Sequence, residues 1–203
     1  MTDRRSHWRT TTHVWTLNVD PAHLADCRRR TAELAPTGVL HLVLEVLAYA
    51  DDEAAARSTK GSATVQLDDD WIKVADDGRG TDTRRDEQGR AVRKPVMSTA
   101  DVRFQGKDSL PLLPDGHPRR GMSLVAALSS ELVHCNRRLD GSWSQTYRYG
   151  IPDDELSELP PSAGTGTTVR FRPATGHLDA AGVERLYELA RAFAHLHVLV
   201  HQA

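Results

Sequence analysis

The 203-residue chain predicts a single α+β domain. Three observations lead there. Residues 39–56 place apolar side chains at Leu40, Val43, Leu44, Leu47 and Ala50, the three-four spacing of a helix with one buried face. Residues 62–67 and 71–75 are short β-type runs on either side of Asp68-Asp69-Asp70, and they read as a hairpin with an acidic tip. Near the end, residues 178–194 return to helical spacing and 195–201 alternate, so helices and strands interleave with no internal repeat.

Between these anchors each segment has its own signal. Residues 12–18 carry Thr, Val and Trp, suit an edge strand, and are stopped by Asp20-Pro21. Residues 81–120 are rich in charge, Gly and Pro, lack periodicity and far exceed an ordinary connection, so they form either a disordered insertion or a functional lid. Gly121 to Leu128 predicts a compact helix opening on glycine, whose free N–H groups could receive an anion. Strands follow at 131–138 and 142–149 around Asp140-Gly141, then a loop at 160–166 and a strand at 167–172.

Composition narrows the function classes. At 39% hydrophobic and 27% charged, the chain can bury a core. A net charge of −2 argues against direct nucleic-acid binding as the main task, although Arg28-Arg29-Arg30, Arg119-Arg120 and Arg137-Arg138 are local anion sites or solvated faces. Cys27 and Cys135 have neither metal-ligand spacing nor the density of a disulfide scaffold, which suits a reduced interior. No stretch approaches the ~20 apolar residues of a membrane span, so the expectation is a cytoplasmic protein.

The most informative stretch is Asp76-Asp77-Gly78-Arg79-Gly80, directly after the strand-like run 71–75. A strand that ends in a carboxylate and turns on glycines brings bare backbone and one acceptor to the mouth of a cleft, as a purine or its phosphates would require. Taken alone, the same run is also an ordinary turn sequence.

Four segments together resemble the ATP-binding domain of type II DNA topoisomerases, the gyrase B-like branch of the GHKL superfamily. They are His41-Leu42-Val43-Leu44-Glu45-Val46 with Asp52-Glu53-Ala54, then Asp76 to Gly80, Gly121 to Leu128, and Gly164 to Phe171. The resemblance covers about residues 28–200 and leaves residues 1–27 as a divergent arm. It implies a two-layer sandwich, with helices on one face of a mixed, mostly antiparallel sheet and residues 81–120 as lid or insertion. It also implies that Asp76 reads the adenine amino group with Thr167 beside it, and that Gly78 and Gly80 admit the nucleotide. By the same likeness Arg79 braces Glu53, Arg138 stands at the pocket rim with Arg137 competing, Lys107 and Gly121 meet phosphate, and Glu45 polarises the attacking water.

Two departures change the expected function. Where the resembled enzymes place a magnesium-binding asparagine, this chain has Tyr49, and a phenol is a poor ligand for a hard cation near neutral pH. Where they have a glycine-rich lid end, it has Gly116-His117-Pro118-Arg119-Arg120-Gly121, so side chains of Arg119 and Arg120 replace backbone N–H groups as phosphate donors, or form a solvated loop. The expectation is a stand-alone domain that binds ATP or ADP, with weak or absent hydrolysis and no topoisomerase activity by itself. The alternative is a non-enzymatic homologue whose pocket takes another small molecule, gyrase B-directed inhibitors included, or which docks a protein partner or a second copy.

Overall fold

The computed structural model describes residues 19–81, 84–85, 91–92, 95–104, 110–139, 141–153, 156–160 and 162–202. In chain order these form α1 (Pro21–Arg29), α2 (Thr31–Leu34), α3 (Val39–Ala56), β1 (Gly61–Leu67), β2 (Ile72–Asp76), a two-strand ribbon β3 (Arg84–Arg85) and β4 (Ala91–Val92), α4 (Met122–Ala127), β5 (Ser129–Arg138), β6 (Gly141–Arg148), β7 (Ile151–Pro152), β8 (Ser157–Glu158), β9 (Gly166–Pro173), α5 (Ala180–Leu189) and β10 (Leu196–Gln202). The main sheet runs β10-β1-β2-β9-β5-β6-β7, with β8 paired to β6. Among the described strands of this sheet β1 and β10 pair in parallel, and the other pairs are antiparallel. The fold is therefore α+β with a mixed, mostly antiparallel sheet, as the sequence predicts.

Strand parity sorts the side chains into two faces. Val65, Val74, Val169, Phe171 and Leu132 lie on the inner face and are buried, whereas Gln66, Arg170 and Arg172 on the outer face are exposed. The helices cover the inner face: α3 packs on β1, β2, β9 and β10, and α4 on β5 and β6. α3 is buried from Val39 to Ala48, more than one amphipathic face, because the sheet lies on one side of it and α4 and α5 pack against it as well. On the outer face Trp71 lies under the Arg170 guanidinium, 3.9 Å from its ring centroid.

Two boundaries differ from expectation. Asp20-Pro21 opens a helix: Asp20 caps α1 by accepting from the His23 N–H at 3.0 Å, and Pro21 occupies the first turn, where a missing N–H is harmless. The strand expected at 12–18 lies outside the described residues. The last helix, α5, ends at Leu189, with one 3₁₀ turn at Ala190–Ala192, and does not reach 194. The chain must extend there to enter β10, and Asp51 holds it by accepting from the His195 N–H at 2.7 Å.

Candidate functional site

The sheet register sets one row of inner-face side chains apart. Ala63 pairs with Asp76, Thr167 lies next to it on β9, Asn136 pairs with Thr167, and Trp143 pairs with Asn136. On β1, β2 and β9 the next row is Val65, Val74 and Val169, all buried, so this row is where that part of the sheet turns polar while α3 still covers it. Asp76 ends β2, and its Oδ1 accepts the Gly78 N–H at 2.9 Å and the Thr167 N–H at 3.1 Å. Oδ2 carries no hydrogen bond among the described residues. Burial pushes the Asp76 pKa up to about 6, with the two N–H groups opposing and the charges of Asp77 and Glu53 adding to the rise.

The glycine turn after Asp76 is fixed by steric need and by side-chain tethers. Gly80 has φ +76°, and a Cβ there would stand 2.6 Å from the Arg137 carbonyl oxygen. Gly166 has φ +146°, and its Cβ would stand 2.0 Å from the Asp76 carbonyl oxygen. No residue with a side chain fits either place. The Thr165 hydroxyl donates to the Gly78 carbonyl at 2.8 Å, tying the last loop to the turn. Asn136 holds Thr81 by three bonds, accepting from its N–H at 2.5 Å and its hydroxyl at 2.9 Å and donating to its carbonyl at 3.0 Å. Arg79 grips Glu53 of α3, Nε to Oε1 at 2.6 Å, and Arg138 donates to the Gly80 carbonyl at 3.3 Å. Arg137 turns the other way, toward the Pro160 carbonyl at 3.5 Å.

The facing wall is α3, where Glu45, Tyr49, Asp52 and Glu53 fall at helical spacing on one face. Glu45 is fully buried, yet both its oxygens have partners: Oε1 accepts the Arg120 N–H, and Oε2 accepts the Gly121 N–H at 2.8 Å. His41 lies one turn before it, with Nε2 3.5 Å from Glu45 Oε1 and Nδ1 donating to Asp115 Oδ2 at 2.8 Å. Asp115 also accepts from the Thr37 hydroxyl at 2.7 Å and the His117 N–H at 3.1 Å. Burial by itself would lower the His41 pKa, but hydrogen bonding to Asp115 and Glu45 outweighs it and lifts the value to about 9. His41 is thus an imidazolium clamped between two carboxylates at neutral pH. Arg119 follows: Nη1 pairs with Asp52 at 2.7 Å and Nε stands 3.9 Å from Glu45 Oε2.

This geometry brings Asp76, Gly78, Gly80, Thr167, Glu53, Arg79 and Arg138 together near the C-terminal end of α3, and Arg120 and Gly121 together at Glu45 two turns earlier, with Arg119 reaching from Glu45 to Asp52. Thr167 reaches Asp76 with its backbone N–H. The Gly121 N–H, one of the groups expected to meet an anion, is directed at Glu45. The Arg120 side chain points away, with Nη1 donating to the Arg103 carbonyl at 3.0 Å. Lys107 lies outside the described residues. Asn136, Thr165 and Asp115 complete the site without having been singled out in the sequence. A polar Asn alternating with Leu132 and His134 on a buried strand face was the available signal for the first, and the Pro-Asp-Gly turn for the last.

The residues present do not fit a divalent cation of the kind the resembled enzymes bind. Burial, reinforced by the charges of Asp76 and Glu53, pushes the Tyr49 phenol well above its ordinary pKa, so it stays protonated. Glu45 has both oxygens engaged, and a guanidinium already faces Glu45 and Asp52. Among the described residues no group of three His, Cys, Asp or Glu side chains is arranged to hold a metal, and no helix is long and apolar enough to cross a membrane.

No protein-family model matches the chain. It is 32% identical over 138 residues to the B subunit of DNA gyrase from Staphylococcus aureus, a match covering 66% of this chain and 21% of that protein. The B subunit of DNA gyrase from Staphylococcus epidermidis matches over the same length at the same 32% identity. The chain spans about a fifth of the length of these curated relatives. Sequence likeness and an α+β fold with a mostly antiparallel sheet together support a gyrase B-like ATPase domain as the kind of protein this chain resembles.

Proposed function

We propose that the chain binds an adenine nucleotide, ATP or ADP, in the cleft between α3 and the Asp76–Thr167 end of the sheet, with slow or no hydrolysis. The observation that carries the reading is Asp76. One carboxylate oxygen is fixed by the Gly78 and Thr167 N–H groups, and the other has no partner among the described residues. An acceptor so oriented suits the exocyclic amino group of adenine, and a ligand lacking a donor there would leave a partly buried carboxylate unpaired. The likeness to the gyrase B proteins supports the same ligand class.

The opposite end of the cleft argues for binding over turnover. A general base must be aimed at the attacking water, and the Glu45 carboxylate is aimed elsewhere: each oxygen accepts a backbone N–H of the Arg120–Gly121 turn, and the Arg119 guanidinium faces it at 3.9 Å. Phosphoryl transfer also rests on positioned charge, which the residues here do not supply through a metal. Calorimetry with ADP and ATP checks the binding, and phosphate release checks turnover. Asp76→Asn should weaken ADP by about tenfold or more, the cost of replacing a charged acceptor and misplacing a donor. Equal ADP affinity in wild type and Asp76→Asn would sink the reading.

A further inference from the structure

The loop that carries Arg119 is a built element. Leu112 bridges Pro118, the Leu113 N–H donates to the His117 carbonyl at 2.9 Å, and the Arg119 N–H donates to the Pro111 carbonyl at 2.9 Å. Thr37 and His41 clasp its tip through Asp115. This scaffold drives the Arg119 side chain inward until only 8% of it is exposed, an unusual place for a guanidinium on a loop. Nη1 reaches Asp52, but the Nε–H has no hydrogen-bond partner among the described residues, and at 3.9 Å its contact with Glu45 is one of charge alone. Glu45 and Asp52 lie two helical turns apart on one face of α3, with Tyr49 between them. The guanidinium thus spans the two carboxylates that flank the tyrosine, and it leaves one buried donor unused.

We propose that Arg119 is a tethered counter-cation standing where a divalent metal would otherwise balance these carboxylates, and that its fixed guanidinium charge serves the nucleotide phosphates, so nucleotide binds without metal. The second half rests on the adenine-nucleotide reading of the same cleft; the first half does not. A guanidinium is always charged and supplies directed donors to phosphate, so it neutralises α3 and meets an anion at once. Its fixed loop spares the ordering cost a surface arginine would bear.

Three measurements test this on the full chain. In Mn²⁺ titrations followed by EPR, without nucleotide, wild type should show no site that disappears in Asp52→Asn; a wild-type site lost in Asp52→Asn overturns the counter-cation. In calorimetry, ADP affinity in EDTA and in Mg²⁺ should agree within about threefold, and tightening by about tenfold or more with Mg²⁺ overturns the proposal. Arg119→Gln should weaken ADP in EDTA by about tenfold or more while leaving adenosine unchanged, because only the phosphates meet the guanidinium. Arg119→Lys keeps the charge and checks that loss in the Gln variant is not misfolding. Adenosine binding with no ADP loss in Arg119→Gln overturns the phosphate role. Absence of both adenosine and ADP binding in wild type removes the nucleotide reading and with it the phosphate role, and leaves the Mn²⁺ result to decide the counter-cation.

Discussion

Asp76 and His41 hold opposite kinds of perturbed charge, and each has a pH signature. The Asp76 pKa stands near 6, above the ordinary carboxylate value of 3.8, because burial disfavours its anion. If adenine needs the ionised acceptor, adenosine should bind about tenfold more weakly at pH 5 than at pH 7.5, since one proton must be released below the pKa. A flat affinity profile across that range would remove Asp76 from base recognition. His41 works the other way: its folded value near 9 exceeds the ordinary 6.5, so its stabilisation is complete below about pH 6.5 and is lost as pH rises through 9. The size is on the order of 3 kcal/mol at most, from the shift itself. Thermal melts from pH 6.5 to 9.5 should therefore fall in wild type and fall less in Asp115→Asn, which removes the partner that raises the histidine. Parallel pH profiles for the two proteins would contradict the clamp.

At the scale of elements, the turn after β2 and the loop before β9 behave as one part. Gly166 has no room for a side chain against the Asp76 carbonyl and sits at φ +146°, so Gly166→Ala must move β9 away from β2. The loss should exceed about 2 kcal/mol in urea unfolding, with adenosine binding abolished in the remaining folded fraction. A variant that stays within ~0.5 kcal/mol of wild type would show that the loop yields freely. These elements also show what a sequence can disclose. α3, β1, β2 and β9 were legible because burial imposes a period of 3.6 or 2 on side chains, and Asp76, Gly78 and Gly80 because strained turns admit few residue types. The Asn136–Thr81 tether, the clasp of Asp115 on His41 and the inward course of Arg119 were not. Each joins segments 55, 74 or 67 positions apart through side chains, and such pairings leave no local period. The capping role of Asp20 was visible in principle, but Asp-Pro ends a strand as readily as it begins a helix.

Across the whole molecule, one helix serves core and cleft together. Leu44 and Leu47 of α3 are fully buried in the apolar cluster, while Glu45 and Tyr49, one or two positions away, face the site. Stability and function should therefore pull against each other where the cleft buries charge. Asp76 is the place to see it. A carboxylate whose folded pKa is raised lends stability only below its unfolded value and withdraws it as pH climbs through about 6, so at pH 7.5 the ionised Asp76 is a cost to the fold. Asparagine keeps a carbonyl oxygen for the Gly78 and Thr167 N–H groups but carries no charge to desolvate. Asp76→Asn should accordingly raise the melting temperature at pH 7.5, by roughly 2–6 °C for a gain of about 1–2 kcal/mol in a chain of this size, and change it little at pH 4, where the acid is already neutral. The same variant should bind adenosine more weakly, by about tenfold or more. Melts at both pH values with adenosine calorimetry on the same preparations decide it: a lower melting temperature at pH 7.5 would mean that Asp76 is held for the fold and not for a ligand.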